Sequence, residues 1–289
     1  MNNSDIDDPL FRQAVQALDS GNASVLETLI EGYPRLIRER LITNEEGYFK
    51  DPYLIWFVAD NPIRNSALPS NITELTQLLI EAVKRGAPDT WQKQIDYALG
   101  LVATGRIPSE CGVQIAMMDL LIDAGAAPGN GIAALANGNI EAAQHLIDRG
   151  GKLTLATAVC LERMDDINQL AATASPDEKL TALTAAAFYG KADMVGVLLT
   201  LGADPNGYPG RSSGFHSHAT PLHQAVSSGS LDTVKLLLGA GAKLDATDKI
   251  YEGTPLGWAS YMQKDDNHDE QGKRKFELIE TYLREKSEH

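Results

Sequence analysis

Residues 219–245 read ATPLHQAVSSGSLDTVKLLLGAGAKLD. Thr220 suits a helix N-cap because its hydroxyl can accept a hydrogen bond from a first-turn amide, and Pro221 suits the first helical position. Apolar residues then recur at i, i+3 and i+4 until Gly229, and a second apolar stripe runs to Gly241. Gly241, just after the second stripe, favours a left-handed cap at the C-terminal end of the second helix. The stretch therefore predicts two short helices joined by a turn, each with one buried face.

The same pattern recurs elsewhere in the chain. It is present in ALTAAAFYGKADMVGVLLTLGADPN at 182–206, in GIAALANGNIEAAQHLIDRGGKL at 131–153 and in the opening GTPLGWAS at 253–260. Thr254-Pro255 repeats the capping dipeptide 34 residues after Thr220-Pro221. A fixed period of this length predicts a repeat protein, in which each unit buries its apolar face against its neighbours.

The strings TPLH at 220–223 and GADPN at 202–206 resemble the signature pieces of ankyrin repeats. The resemblance is clearest over residues 180–262, and the repeats are degenerate over 9–175. The surroundings of TPLH and GTPLGWA also resemble a group of bacterial ankyrin-repeat proteins. The resemblance implies an all-α ankyrin-repeat solenoid of about eight helix-turn-helix units with short, irregular finger hairpins. We expect residues 1–289 to form this one solenoid, closed by a polar capping helix at 273–286.

The predicted units are uneven in length. We place them at about 9–33, 45–86 with an insertion near 62–71, 91–125 with lengthened helices, 129–150, 153–174, 179–202, 217–241 and 252 to the end. Leu121, Leu146, Leu170, Leu198 and Leu237 are equivalent, and they lie 25, 24, 28 and 39 residues apart. The short spacings predict clipped fingers in the middle of the chain. The longest spacing predicts long fingers at 204–219 and 244–253.

Composition excludes several classes of protein. The chain has 289 residues and a formal net charge of −14, which argues against general nucleic-acid binding and against docking on anionic membranes. Cys111 and Cys160 are its two cysteines, too few for a disulfide scaffold. The acidic start lacks the features of a signal peptide, and no apolar run is long enough to cross a membrane. We therefore expect a cytoplasmic protein.

In ankyrin repeats the fingers and first helices line a concave binding surface, so the resemblance implies protein recognition without catalysis and without a cofactor. The acidic excess favours a partner protein with a basic patch, and we expect the chain itself to be a monomer. The long fingers carry aromatic and charged residues of the kinds that anchor interfaces. The expected partner-binding residues are Tyr208, Arg211, Phe215, His216, His218, Asp248, Tyr251, Glu252 and Trp258.

Two other interpretations stay open from the sequence. His216, His218 and His223 fall within eight residues, so the finger could instead centre a metal-binding or small-ligand-binding activity. The chain could also be a helper or inhibitory subunit of one enzyme, which would equally be a binding scaffold. Five aromatic residues between Tyr48 and Phe57 predict either the core of the second unit or a second docking patch.

Overall fold

The structure is a computed structural model that describes residues 5–43, 46–265 and 269–288, apart from the side chain of Ser212. All regular secondary structure in these residues is helical, and no β-strand occurs among them. The expected all-α repeat architecture is therefore confirmed, with fingers made of turns. The chain divides into two compact units, Met1–Lys152 and Leu153–His289. The single solenoid over 1–289 stays a prediction.

Unit 1 consists of nine α-helices within its described residues, together with one longer 3-10 helix at Leu54–Ala59. The α-helices are α1 (Pro9–Asp19), α2 (Ala23–Gly32), α3 (Arg35–Arg38), α4 (Ile72–Gly86), α5 (Trp91–Thr104), α6 (Arg106–Glu110), α7 (Gln114–Asp123), α8 (Ile132–Ala136) and α9 (Ile140–Asp148). The predicted pairing of helices is seen in α1 with α2 and in α8 with α9. The third unit was predicted to have lengthened helices, but its extra residues instead form a separate short helix, α6, between α5 and α7.

The 3-10 helix replaces the α-helix that was expected at the start of the second unit. All six of its residues are buried, and it packs against both α1 and α5. Phe49 and Trp56 belong to this core, whereas Tyr48 is exposed. The aromatic cluster is therefore mainly core, as the first of its two interpretations predicted.

The predicted insertion before α4 is held by one carboxylate. The buried side chain of Asp60 accepts hydrogen bonds from the backbone N–H groups of Arg64, Asn65 and Ser66 at 3.0–3.3 Å. The Arg64 guanidinium in turn contacts Asp19 Oδ1 at 2.8 Å. The carboxylate thereby satisfies three main-chain N–H groups of a loop that lies against the core, since buried polar groups without partners are costly.

Unit 2 is a regular stack. Its described helices are α10 (Leu155–Cys160), α11 (Met164–Ala171), α12 (Pro176–Phe188), α13 (Ala192–Thr200), α14 (Pro221–Ser227), α15 (Leu231–Gly239), α16 (Pro255–Lys264) and α17 (Glu270–Ser287). Each first helix packs against the next one along the chain, in the order α10, α12, α14 and α16. The second helices pack in the same way, α13 against α15 and α15 against α17. Each apolar stripe is thereby buried between neighbours.

The caps and fingers of unit 2 follow the sequence pattern. Thr220 and Thr254 are the N-caps of α14 and α16, and Gly241 ends the α15 turn with a φ of +89°. Only residues 172–175 separate α11 from α12, whereas 201–220 and 240–254 separate the later pairs. The predicted contrast between clipped and long fingers is confirmed here.

The final helix has the expected polar outer face but begins earlier than predicted. It starts at Glu270, where Asp269 caps it by accepting a hydrogen bond from the Gly272 N–H at 2.8 Å. Phe276, Ile279 and Leu283 are its buried residues.

Two adjacent leucines of α15 test the stacking. Leu237 is fully buried and Leu236 is 40% exposed. We expect Leu237→Ala to lower the free energy of unfolding by about 2–5 kcal/mol, because it removes buried contacts and leaves a cavity. Leu236→Ala should cost about 0.5 kcal/mol. Urea denaturation followed by circular dichroism measures both, and equal losses would contradict this packing.

Candidate functional site

The predicted binding residues lie mostly on two long loops of unit 2, which we call finger 1 (residues 204–219) and finger 2 (residues 244–253). Finger 1 is rich in glycine, proline, serine and asparagine, which favour turns over helix or strand. Its regular structure among the described residues is a single 3-10 turn, Arg211–Ser213. Finger 2 leads directly into α16.

The carboxylate of Asp248 organises finger 2. Its Oδ1 accepts hydrogen bonds from the N–H groups of Ile250 at 2.9 Å and Tyr251 at 2.7 Å. Its Oδ2 accepts from the Gly253 N–H and from the Trp258 indole Nε1–H, both at 3.0 Å. Asp248 also donates its own N–H to the Gly253 carbonyl at 2.9 Å. One side chain thus closes the turn and fixes it to α16.

These bonds keep Asp248 ionised. The residue is 1% exposed, and burial by itself raises the pKa of a carboxyl group. The four hydrogen bonds outweigh that effect and lower the pKa of Asp248 to about 2. Unit 2 therefore holds a buried negative charge beneath finger 2 at neutral pH.

The buried ring of His223 ties finger 2 to the preceding repeat. The Thr220 N–H donates to His223 Nδ1 at 3.3 Å, and the Thr220 hydroxyl lies 2.8 Å from the same atom. These partners assign the ring proton to Nε2, which donates to the Gly253 carbonyl at 2.9 Å. Burial lowers the pKa of His223 and outweighs the nearby Asp248 charge, which favours the neutral ring.

The two fingers are bonded to each other. The Lys249 N–H donates to the His218 carbonyl at 2.8 Å, and the Tyr208 hydroxyl donates to the Thr247 carbonyl at 2.6 Å. The Lys249 ammonium lies 4.0 Å from the centroid of the Tyr208 ring, within the range of a cation–π contact. The fingers therefore hold each other in place by main-chain and side-chain contacts.

A continuous row of rings runs from α12 across finger 1 to finger 2 and α16. Centroid distances along it are 5.5 Å for Phe188–Phe215, 6.3 Å for Phe188–His216, 5.3 Å for His216–His218, 6.2 Å for His218–Tyr251, 6.1 Å for His218–Trp258 and 5.0 Å for Trp258–His223. Most of these pairs are edge-to-face, an arrangement that adds stability beyond the area that the rings bury. These ring contacts pack both fingers against α12 and α16.

The row ends beside a groove of about 510 Å³ on finger 2 and α16. The groove is lined by Tyr251, Gly253, Gly257, Trp258, Tyr261 and Met262. Tyr251 is 77% exposed and Tyr261 is 69% exposed. Large aromatic side chains that stand out from a bonded loop are typical anchors of protein interfaces.

The structure divides the nine predicted residues by exposure. Arg211, His216, Tyr251 and Glu252 are exposed, and Tyr208, His218 and Trp258 are partly exposed. Phe215 is buried at 5% exposure, because its ring packs on Phe188, and Asp248 is buried by its own turn. These two residues support the surface from beneath and do not present contact area, which corrects their expected placement.

Three large apolar or aromatic side chains that are exposed here or line the groove were missing from the predicted set: Ile250, Tyr261 and Met262. A signal for Tyr261 was available. Aligning TPLGWASY at 254–261 with TPLHQAVS at 220–227 puts Tyr261 opposite Ser227, at a position that is only partly buried in the preceding unit.

The histidine cluster does not form a three-ligand site. Both ring nitrogens of His223 already have partners within the repeat, so His223 has no nitrogen left for a metal. His216 and His218 stack edge-to-face with each other. Across the described ranges, no group of three or more His, Cys, Asp or Glu side chains is placed to hold a metal ion.

Stacked helix pairs that support bonded fingers define a helical-repeat architecture. Residues 112–248 match a family model described as ankyrin repeats, in three copies. This segment is therefore similar to ankyrin repeats, the family predicted from the sequence. Ankyrin repeats are generally protein–protein interaction modules and are typically non-catalytic.

No curated protein matches the chain. None of the helices in the described ranges has the length and apolarity to cross a bilayer.

Removal of the His223 ring tests the tie between repeats. We expect His223→Ala to lower the free energy of unfolding by about 2–4 kcal/mol, because it leaves the buried Thr220 N–H without its partner, removes one of the two hydrogen bonds to the Gly253 carbonyl and opens a cavity. The exposed His216→Ala serves as the control and should cost about 0.5 kcal/mol. Urea denaturation at pH 7.5 measures both, and a His223→Ala loss as small as that of the control would argue against the tie.

The buried carboxylate predicts a specific pH dependence. A carboxyl whose pKa falls from about 3.9 in the unfolded chain to about 2 in the folded protein stabilises the fold fully above pH 4. That contribution is lost as the pH falls through 2. We therefore expect the stability advantage of the native protein over Asp248→Asn to be constant from pH 7 to 5 and to shrink below pH 4. Urea midpoints at each pH measure it, and a constant advantage down to pH 2 would contradict the bonding scheme.

Proposed function

We propose that fingers 1 and 2 and helix α16 form a binding surface for a partner protein, and that the chain contributes recognition and no catalysis. The observation that carries this proposal is the exposure of Tyr251 and Tyr261 beside a groove of about 510 Å³. Ile250, 60% exposed, extends the apolar area at the tip of finger 2. Exposed apolar patches of this kind mark interaction sites in soluble proteins.

The bonding of the fingers supports the same proposal. Binding normally costs conformational entropy when a loop must become ordered. Here Asp248 has already fixed finger 2, and the contacts of Tyr208 and Lys249 have already joined it to finger 1. A surface that is ordered before it meets its partner loses less entropy on binding, so more of the contact energy becomes affinity.

The charge of the chain favours a partner with a basic patch. A formal net charge of −14 attracts cationic surfaces over a distance of about one Debye length and raises the association rate at low salt. On the proposed surface, Glu252 is exposed at finger 2 between two residues that line the groove.

Site-specific photo-crosslinking tests the proposal in the native lysate. We expect a photoreactive phenylalanine analogue at position 251 or 261 to crosslink one defined protein, because both positions face solvent beside the groove. The matched control is position 278 on α17, where Leu278 is 60% exposed but lies outside both fingers. Mass spectrometry identifies the crosslinked protein.

A second arm adds an excess of untagged competitor to the crosslinking reaction. The untagged native chain should suppress the crosslink at position 251 or 261, whereas untagged Tyr251→Ala/Tyr261→Ala should not. The same adduct at position 278, or no adduct at 251 and 261, would refute this placement of the surface.

A further inference from the structure

The groove on finger 2 lies at the end of the described stack. Helix α14 has His223 in its third position, where the ring reaches the Gly253 carbonyl of the next finger. Helix α16 begins with the same Thr-Pro-Leu sequence but has Gly257 in that position. Among the described residues no finger follows α16. The space that an imidazole fills in one repeat is therefore open in the next, and Gly257 lines the groove there.

The walls of this groove are aromatic. Tyr251 comes from finger 2, whereas Trp258 and Tyr261 come from α16. The two tyrosines are mostly exposed, so their ring faces are available to a ligand. Ring faces carry negative charge density, and several of them around one space attract a planar or compact cation.

A buried anion lies directly behind these walls. Asp248 Oδ2 is 3.0 Å from the Nε1 of Trp258, whose indole lines the groove. No lysine, arginine or histidine of the described ranges forms an ion pair with Asp248. The neighbouring Lys249 directs its ammonium to the Tyr208 ring. The Asp248 charge is therefore stabilised by four N–H donors, one of them the Trp258 indole, and is not neutralised by an ion pair with a cation of the described ranges.

A hydrogen bond from an indole to a carboxylate also makes the indole ring richer in electrons. The Asp248 charge and the Trp258 ring thus act in the same direction, and both favour a cation in the groove. Exposed Glu252 adds a second carboxylate on the same turn. The chemistry of the groove is complementary to a positive group with a flat face.

We propose that this groove binds the guanidinium group of an arginine side chain, presented by an extended segment of the partner protein. The proposal rests on the proposed function and specifies the chemistry of its partner. A guanidinium is planar, stacks on aromatic faces and is more weakly hydrated than an ammonium, so it enters an aromatic groove at a lower desolvation cost than lysine does. The aliphatic part of the arginine side chain would lie along Met262.

Peptide titration of the full chain tests the proposal without the partner. The probes are acetyl-Gly-Gly-Arg-Gly-Gly-amide and two analogues of it. One has citrulline, which keeps the shape of arginine and removes its charge, and the other has lysine, which keeps the charge and removes the planar group. The readout is the indole N–H resonance of Trp258 in a nitrogen-15 spectrum, assigned by its loss in Trp258→Phe. The indoles of Trp56 and Trp91 are internal references.

We expect a saturable shift of the Trp258 resonance, with a dissociation constant for the arginine peptide at least tenfold lower than for the citrulline peptide. Tyr251→Leu/Tyr261→Leu should weaken arginine binding at least tenfold. These side chains are mostly exposed, so the variant should leave the reference resonances unchanged. Tyr33→Leu, at an exposed tyrosine of unit 1, is the matched control and should bind normally.

Several results would overturn the proposal. Equal binding of the citrulline peptide would remove the role of charge, and equal binding of a lysine peptide would remove the preference for a guanidinium. Unchanged binding by the double variant would place the arginine elsewhere. A protein that crosslinks at position 251 while the arginine peptide fails to bind would exclude the arginine groove and leave the proposed function intact.

Discussion

A pair of short helices has too little surface to bury its own apolar stripe, and the rest of unit 2 depends on this constraint. Each first helix must lie against the next, so α12 and α14 are covered on both sides by other first helices. The fingers then project from an already rigid stack, and their turns need only local bonds to stay ordered. The packing that stabilises unit 2 and the surface proposed for recognition therefore lie in different parts of the repeats.

The same constraint explains why the last first helix differs in sequence from its predecessor. In α14 the third residue must bond to the following finger, and His223 does so. In α16 there is no following finger among the described residues, and Gly257 occupies the position. A repeat that is released from stacking on one side can carry exposed aromatic side chains, which in the middle of the stack would be buried by the next unit.

The helices, caps and finger lengths of unit 2 were predictable because they depend on short-range patterns. Thr220-Pro221 and Gly241 act within one helical turn of their own positions. Asp248 was predicted to be a contact residue because its type and loop position favour exposure. Its burial depends on the path of finger 2 and on an indole ten residues later. Phe215 was misplaced for a similar reason, since its partner Phe188 lies in another repeat. The 3-10 helix at Leu54–Ala59 was missed because a wholly apolar run has no helical periodicity.

The Asp248 turn has a consequence for how new specificities arise. Its carboxylate bonds to the main-chain N–H groups of residues 250, 251 and 253, so the turn does not depend on the side chains of Ile250 and Tyr251. Those two positions can change freely while the loop keeps its shape. The proposed binding surface on finger 2 is thus exchangeable on a constant frame, and its side chains can be altered by evolution or by design without rebuilding the protein.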